Sequence, residues 1–119
     1  MAAGDLNMVA GTTLRFALTW ETENEAGELE PVKLHGCTAK FAMRDVKTDL
    51  VIATADTTDG IEINPETGEV SVTVVPEKTQ GTPPAPLGNV SYEVRVYFPS
   101  GDAYPLVNAF IAISKGAID

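Results

Sequence analysis

The chain has 119 residues, of which 44% are apolar and 21% charged, and Asp and Glu outnumber Lys and Arg by 17 to 8. This length and composition predict one folded domain rather than a disordered chain, and the net charge of −9 disfavours binding to nucleic acid or to an anionic membrane. Cys37 and His35 are the sole cysteine and histidine, which excludes an intrachain disulfide and a metal site built from three histidines.

Strict alternation of apolar and polar residues, the pattern of a half-buried β-strand, dominates the chain. The alternating segments are residues 13–20, 38–44, 50–55, 61–64, 70–75, 90–98 and 104–114. About seven strands separated by turn residues such as Pro65 and Gly68 are typical of an all-β sandwich. The residues predicted to be buried between its two sheets are Leu14, Phe16, Leu18, Phe41, Val72, Val94 and Val96.

Residues 21–30, which follow the first predicted strand, are polar and acidic around Gly27. This composition predicts an exposed hairpin loop. Its glutamates are predicted to be solvated, and the alternative is a weak site for a divalent cation, although the spacing does not match an EF-hand.

Residues 1–11 precede the first alternating run and are predicted to form an extended N-terminal arm, with the domain itself covering residues 12–119. Such an arm either becomes ordered on a neighbouring protein or remains a frayed terminus. Helix content is predicted to be small, with one turn near residues 76–80, because Pro76 suits the first position of a helix.

The last predicted strand is apolar on both faces, with Leu106, Phe110 and Ile113 predicted to face the core. A strand of this kind is expected where both faces are covered, which indicates a contact with another protein. The predicted interface combines outward-facing residues of this strand with two tyrosines beside the preceding turn: Val107, Ala109, Ile111, Tyr97 and Tyr104. The alternative is a central strand that lies under a long loop.

No arrangement of residues in the sequence indicates catalysis. His35 and Cys37 are predicted to be structural or solvated, and no Gly-rich phosphate loop precedes a helix. We therefore predict no catalytic residue, no cofactor and no metal site. Tyr97 and Tyr104 are the aromatic residues that would serve a sugar-binding platform, whereas Trp20 and Tyr92 fall on predicted core faces.

Four stretches carry a resemblance to a known family. They are GDLNMVAGTTLRFALTW at residues 4–20, LHGCTAKFAMRD at 34–45, DGIEINPETGEVSVTV at 59–74 and LGNVSYEVRVYFPSGD at 87–102. Together they resemble the small immunoglobulin-like domains of tailed-bacteriophage virions, the type found at the N-terminus of baseplate upper proteins. The matching positions are turns and core residues, and they cover nearly the whole chain.

The resemblance implies a single immunoglobulin-like β-sandwich of about seven antiparallel strands. It also implies a non-enzymatic virion part, made in the host cytoplasm, that contacts other virion structural proteins as a homo-oligomer or in repeated copies. Members of the family often carry a C-terminal fibre or receptor-binding region. Because this chain stops at Asp119, we expect a tail or baseplate adaptor or a capsid-associated decoration protein. The alternatives are a soluble carbohydrate- or ligand-binding module and a secreted or host-directed inhibitor.

Overall fold

The computed structural model describes residues 4–118, and this part of the chain is all-β. Its strands are β1 (Leu6–Val9), β2 (Leu14–Thr19), β3 (Glu21–Glu23), β4 (Leu29–Pro31), β5 (Thr38–Asp45), β6 (Val51–Asp56), β7 (Ile61–Asn64), β8 (Glu69–Val74), β9 (Val90–Tyr97) and β10 (Ala103–Ser114). A 3₁₀ turn at Pro76–Lys78 is the one helical segment among the described residues. It lies where the sequence predicts a helical turn.

The strands form three sheets. The largest has the order β1-β10-β9-β5-β6, the second has the order β2-β8-β7, and the third is the β3-β4 hairpin. The pairs are antiparallel except for β1, which runs parallel to the C-terminal part of β10. All seven predicted strands are present, and the structure adds β1, β3 and β4, which are too short or too polar to alternate recognisably.

The five-stranded and three-stranded sheets share one apolar core. Phe16 on β2 makes edge-to-face contacts with Phe41 and Tyr92 of the larger sheet, at ring-centroid distances of 5.9 and 5.8 Å. Burial is confirmed for all predicted core residues except Phe16, which is half-buried: Leu14, Leu18, Phe41, Val72, Val94 and Val96. The amphipathic strands thus bury their apolar faces against each other.

Hydrogen bonds hold the N-terminal segment against the larger sheet from Gly4, the first described residue. The hydroxyl of the buried Tyr92 donates a hydrogen bond to the Gly4 carbonyl at 2.7 Å, and the Phe110 amide donates to the Asp5 carboxylate at 3.0 Å. Met8 on β1 is buried. Residues 4–11 of the predicted arm therefore include a strand of the sheet, and residues 1–3 lie outside the described residues.

The predicted side-chain directions in β10 are confirmed for Leu106 and Ile113, which are buried, but they are wrong for Val107, Phe110 and Ile111. The register shifts between Pro105 and Val107, so that Leu106 and Val107 are both buried. Such a bulge reverses the alternation that follows it. Ile111 therefore faces the core with no exposed surface, and Phe110, predicted to be inside, is 41% exposed.

The outer edge of β6 is partly covered by the 3₁₀ turn. The Lys78 ammonium donates hydrogen bonds to the Thr54 carbonyl at 2.7 Å and to the Asp59 carboxylate at 2.8 Å. A charged side chain that occupies an edge carbonyl hinders another strand from pairing there. This edge is therefore a poor place for addition of a strand.

Replacing Phe41 with Ala is expected to lower the free energy of unfolding by about 3–5 kcal/mol, because it leaves a cavity where the sheets meet. The matched control, Phe110→Ala on the exposed face of β10, is expected to cost less than about 1 kcal/mol. Urea denaturation of both variants measures the difference. Equal losses would show that the core does not lie between Phe16 and Phe41.

Candidate functional site

The β3-β4 hairpin projects from the core, and every residue of its two strands is exposed. Its turn is shaped by the Asn24 side-chain oxygen, which accepts hydrogen bonds from the amides of Ala26 and Glu28 at 2.9 Å. Gly27 adopts the positive φ of 80° that the turn needs. The predicted exposed hairpin is confirmed, and it presents five glutamates to solvent: Glu21, Glu23, Glu25, Glu28 and Glu30.

The base of the hairpin is fastened to the turn between β7 and β8. The Trp20 amide donates to the Gly68 carbonyl, and the Val32 amide donates to the Trp20 carbonyl, both at 2.9 Å. Gly68 has φ of +73°, and a Cβ at this position would lie 2.5 Å from the Trp20 carbonyl oxygen. The close approach of the two backbones therefore requires glycine here.

Three aromatic side chains pack together near this base. The rings of Trp20, Phe98 and Tyr104, here named the aromatic cluster, make pairwise edge-to-face contacts at 5.8–5.9 Å. Trp20 and Phe98 are half-buried and Tyr104 is 46% exposed. The sequence prediction of Tyr104 as a surface residue agrees with this position, but it missed Trp20 and Phe98 as its neighbours. The only signal in the sequence was that Trp20 and Phe98 each lie at the end of an alternating segment.

The predicted interface residues do not form one surface. Val107 and Ile111 are buried in the core and Ala109 is half-buried, whereas Tyr104 is exposed. Tyr97 lies on the outer face of the larger sheet, opposite Ala103 in the β9-β10 register. The structure thus brings Tyr97 and Tyr104 to the same end of the sheet and turns Val107 and Ile111 inward.

The outer face of β5 and β9, here named the charged face, carries three cations that are each matched by a carboxylate. Asp56 lies opposite Lys40 in the β5-β6 register, Glu93 holds Arg95, and Asp49 pairs with Arg44. The Lys40 ammonium lies 5.5 Å from the centroid of the Tyr97 ring, within reach of a cation–π contact. A shallow depression of about 460 Å³ runs along this face between the side chains of β5, β6 and β9. No single feature of the sequence indicated it, because the three cations come from two separate strands.

His35 and Cys37 occupy the loop before β5 and take no part in these surfaces. His35 Nε2 lies 2.9 Å from a Glu66 carboxylate oxygen, and Lys33 contacts the same carboxylate at 3.2 Å. The hydrogen bond from Lys33, with the charges of Lys33 and His35, lowers the pKa of Glu66. Burial raises the pKa of the Cys37 thiol, which favours the protonated, less nucleophilic form.

Within residues 4–118, no three His, Cys, Asp or Glu side chains are placed together as a metal ion would need. The same part of the chain contains no helix with the length and hydropathy to cross a membrane. No protein-family model matches the chain, and no curated protein matches it either.

Replacing Gly68 with Ala is expected to loosen the hairpin base, because the added Cβ meets the Trp20 carbonyl in a backbone conformation that already disfavours alanine. Gly101→Ala is the matched control, since Gly101 also has a positive φ but no atom within 4 Å of its Cβ position. We expect a loss of about 1 kcal/mol for the control and about 1–3 kcal/mol more for Gly68→Ala. Urea denaturation, with hydrogen exchange of the Trp20 and Val32 amides, measures both. Equal effects would contradict the tight contact.

Proposed function

We propose that the chain is an immunoglobulin-like β-sandwich and a non-enzymatic structural protein of a bacteriophage virion. In this role it is a tail or baseplate adaptor or a capsid-associated decoration protein, present in repeated copies and in contact with other virion proteins. The observation that carries the proposal is an exposed hairpin fastened to a rigid two-sheet core. Such a module offers a fixed arm for contacts between proteins and needs no pocket.

The strand order supports an immunoglobulin-like topology. In that fold one sheet contains strands B, E and D, and the other contains C, F and G with C′ added beside C in variable-type domains. The order β2-β8-β7 corresponds to B-E-D, and the order β10-β9-β5-β6 corresponds to G-F-C-C′. The chain orders agree as well, which favours this topology over other pairings of two sheets.

The residues behind the resemblance to phage domains fall on structural positions of this topology. Residues 59–74 form β7, the turn at Gly68 and β8, and residues 87–102 form β9 and the turn after it. Both segments place valines in the core and glycines at turns with positive φ. The resemblance is therefore carried by residues that define the fold, and the virion role is inferred from it.

The net charge of the surface is consistent with protein partners. The acidic charge favours protein partners over nucleic acid or anionic lipid.

The proposal predicts that the protein co-sediments with intact phage particles and is identified in them by mass spectrometry. A variant in which Asn-Gly replaces residues 23–29 keeps the paired residues Thr22 and Glu30, whose backbones can exchange the hydrogen bonds that close a tight turn. It is expected to fold but to lose most of its incorporation, whereas Glu62→Lys, an exposed change elsewhere, is expected to incorporate normally. Particles that lack the parent protein would overturn the proposal.

The aromatic cluster favours one other function, a carbohydrate- or ligand-binding module. An exposed ring such as Tyr104, supported by Trp20 and Phe98, provides an apolar platform for a sugar face. Under this alternative, glycans should change the fluorescence of Trp20, the only tryptophan, and Tyr104→Ala should weaken their binding at least about tenfold. Fluorescence titration against a glycan panel separates the two functions, and a panel without effect would exclude this alternative for the sugars tested.

A further inference from the structure

We propose that the unpaired edge of β2 pairs with the same edge of a second copy of the chain, antiparallel and about a two-fold axis, so that two three-stranded sheets become one continuous sheet. This inference deepens the proposed function and rests on it for the presence of several copies. It names the strand through which the copies meet and the side-chain charges that set the register between them.

One edge of β2 has no partner strand among the described residues. In the three-stranded sheet β2 is an outermost strand, and β3 continues the same edge into the hairpin. The Trp20 amide donates to the Gly68 carbonyl, on the side of β8. Because backbone groups alternate between the two sides of a strand, those of residues 15, 17, 19 and 21 point away from β8. They form the open edge, and no described hydrogen bond from another part of the chain uses them.

The open edge lacks features by which sheet edges usually avoid another strand. Protected edges are short, or they carry proline, a bulge or a lysine close to the backbone. Lys78 has this role at β6, and Pro105 lies beside the bulge of β10. By contrast, β2 pairs with β8 in an unbroken register from Leu14 to Thr19 and contains no proline. Its free backbone groups are therefore available to an incoming strand.

The side chains along the open edge have an order of charges that complements itself. Arg15 lies at one end, Ala17 and Thr19 lie in the middle, and Glu21 lies at the other end, all of them exposed. Within one copy, Arg15 and Glu21 are about 20 Å apart along the strand and cannot pair. A two-fold axis reverses the order in the second copy. The positive end of each edge then meets the negative end of the other.

This complementarity sets the register. With the axis between the two copies of Leu18, Arg15 lies opposite Glu21 of the second copy, and Ala17 lies opposite Thr19 of the second copy. All these residues have backbone groups that point to the open edge, so each pair can exchange the hydrogen bonds of an antiparallel ladder. Opposite charges directly across two strands are favourable. A parallel pairing in register would instead place Arg15 beside Arg15.

Arg15 and Glu21 are free to make this contact. Among the described ion pairs, none involves either residue. The Arg15 guanidinium donates a hydrogen bond to the hydroxyl of Thr73, its partner on β8, at 3.4 Å. The carboxylates on the same outer face, Glu62 and Glu69, occupy other rows of the register. A carboxylate from a second copy would therefore meet a cation that no described carboxylate holds.

A second copy is the occupant that this pattern favours. A strand of uniform charge would attract one end of the open edge and repel the other, whereas the edge of a second copy matches both ends. The net charge of −9 makes copies repel each other unless local opposite charges meet, which favours this register over shifted ones. Because the same surface is used on both copies, the contact closes on itself and association stops at the dimer.

Charge variants of the full chain test the register by sedimentation velocity over a concentration series. Arg15→Glu and Glu21→Arg each place like charges opposite each other in the dimer, and each is expected to weaken dimerisation at least about tenfold. The double variant Arg15→Glu/Glu21→Arg keeps the net charge of the parent and restores both pairs of opposite charges. It is expected to dimerise as the parent does.

Lys47→Glu and Glu77→Arg are the matched controls, since they make the same changes of charge at exposed positions outside the open edge. Both are expected to dimerise as the parent does, within about threefold. The net charge alone predicts that Glu21→Arg strengthens association, because it reduces the repulsion between copies. The proposed pairing predicts that the same variant weakens it.

Hydrogen exchange tests the backbone pairing separately. The amides of residues 15, 17, 19 and 21 are expected to exchange at least about tenfold more slowly in concentrated than in dilute parent protein. Ala17→Pro removes one of these amides at an edge position where proline is tolerated, because the amide has no partner within the monomer. This variant is expected to remain monomeric, and circular dichroism confirms that each variant is folded.

A parent that is monomeric at about 1 mM, a double variant that stays dissociated, or open-edge amides that exchange equally fast at all concentrations would each overturn the inference. Any of these results together with incorporation of the parent into particles would leave the virion role standing. Absence of the protein from particles, with dimerisation restored in the double variant, would overturn the virion role and leave the edge pairing standing.

Discussion

The contact of Phe16 with Phe41 and Tyr92 is the interaction on which the rest of the structure depends. Each of the two larger sheets has one apolar face, and neither is stable in water unless that face is covered. The three rings join the sheets at the centre of the core, surrounded by fully buried valines. Tyr92 extends this role, because its hydroxyl also holds the N-terminal segment through the Gly4 carbonyl.

The edges of the larger sheet determine where another protein could add a strand. The Lys78 ammonium donates a hydrogen bond to the Thr54 carbonyl on β6, and β1 pairs with the C-terminal part of β10. Pro105, which lacks an amide hydrogen, lies in β10 next to the bulge. These features hinder strand addition at the protected edges of the larger sheet, in contrast to the open edge of β2 in the three-stranded sheet.

The hairpin and the outer face of β5 and β9 differ in how their charges are balanced. The hairpin is set in position by the backbone contact between Gly68 and Trp20, and its glutamates are exposed and make none of the described ion pairs. On the outer face of β5 and β9, Asp56 lies opposite Lys40 and Glu93 holds Arg95. The excess negative charge of this part of the surface is therefore concentrated on the hairpin.

The sequence by itself determined the all-β class, the seven principal strands and most of the core, because a period of two along a strand needs no knowledge of its partners. It also located the exposed acidic hairpin and the turn at Pro76. Only the tertiary structure decided the direction of Phe110 and Ile111, since a bulge is set by pairing with β9. It alone decided that Lys40 lies opposite Arg95 and that Trp20 meets Tyr104, because these neighbours are far apart in the chain and meet only through strand register and packing.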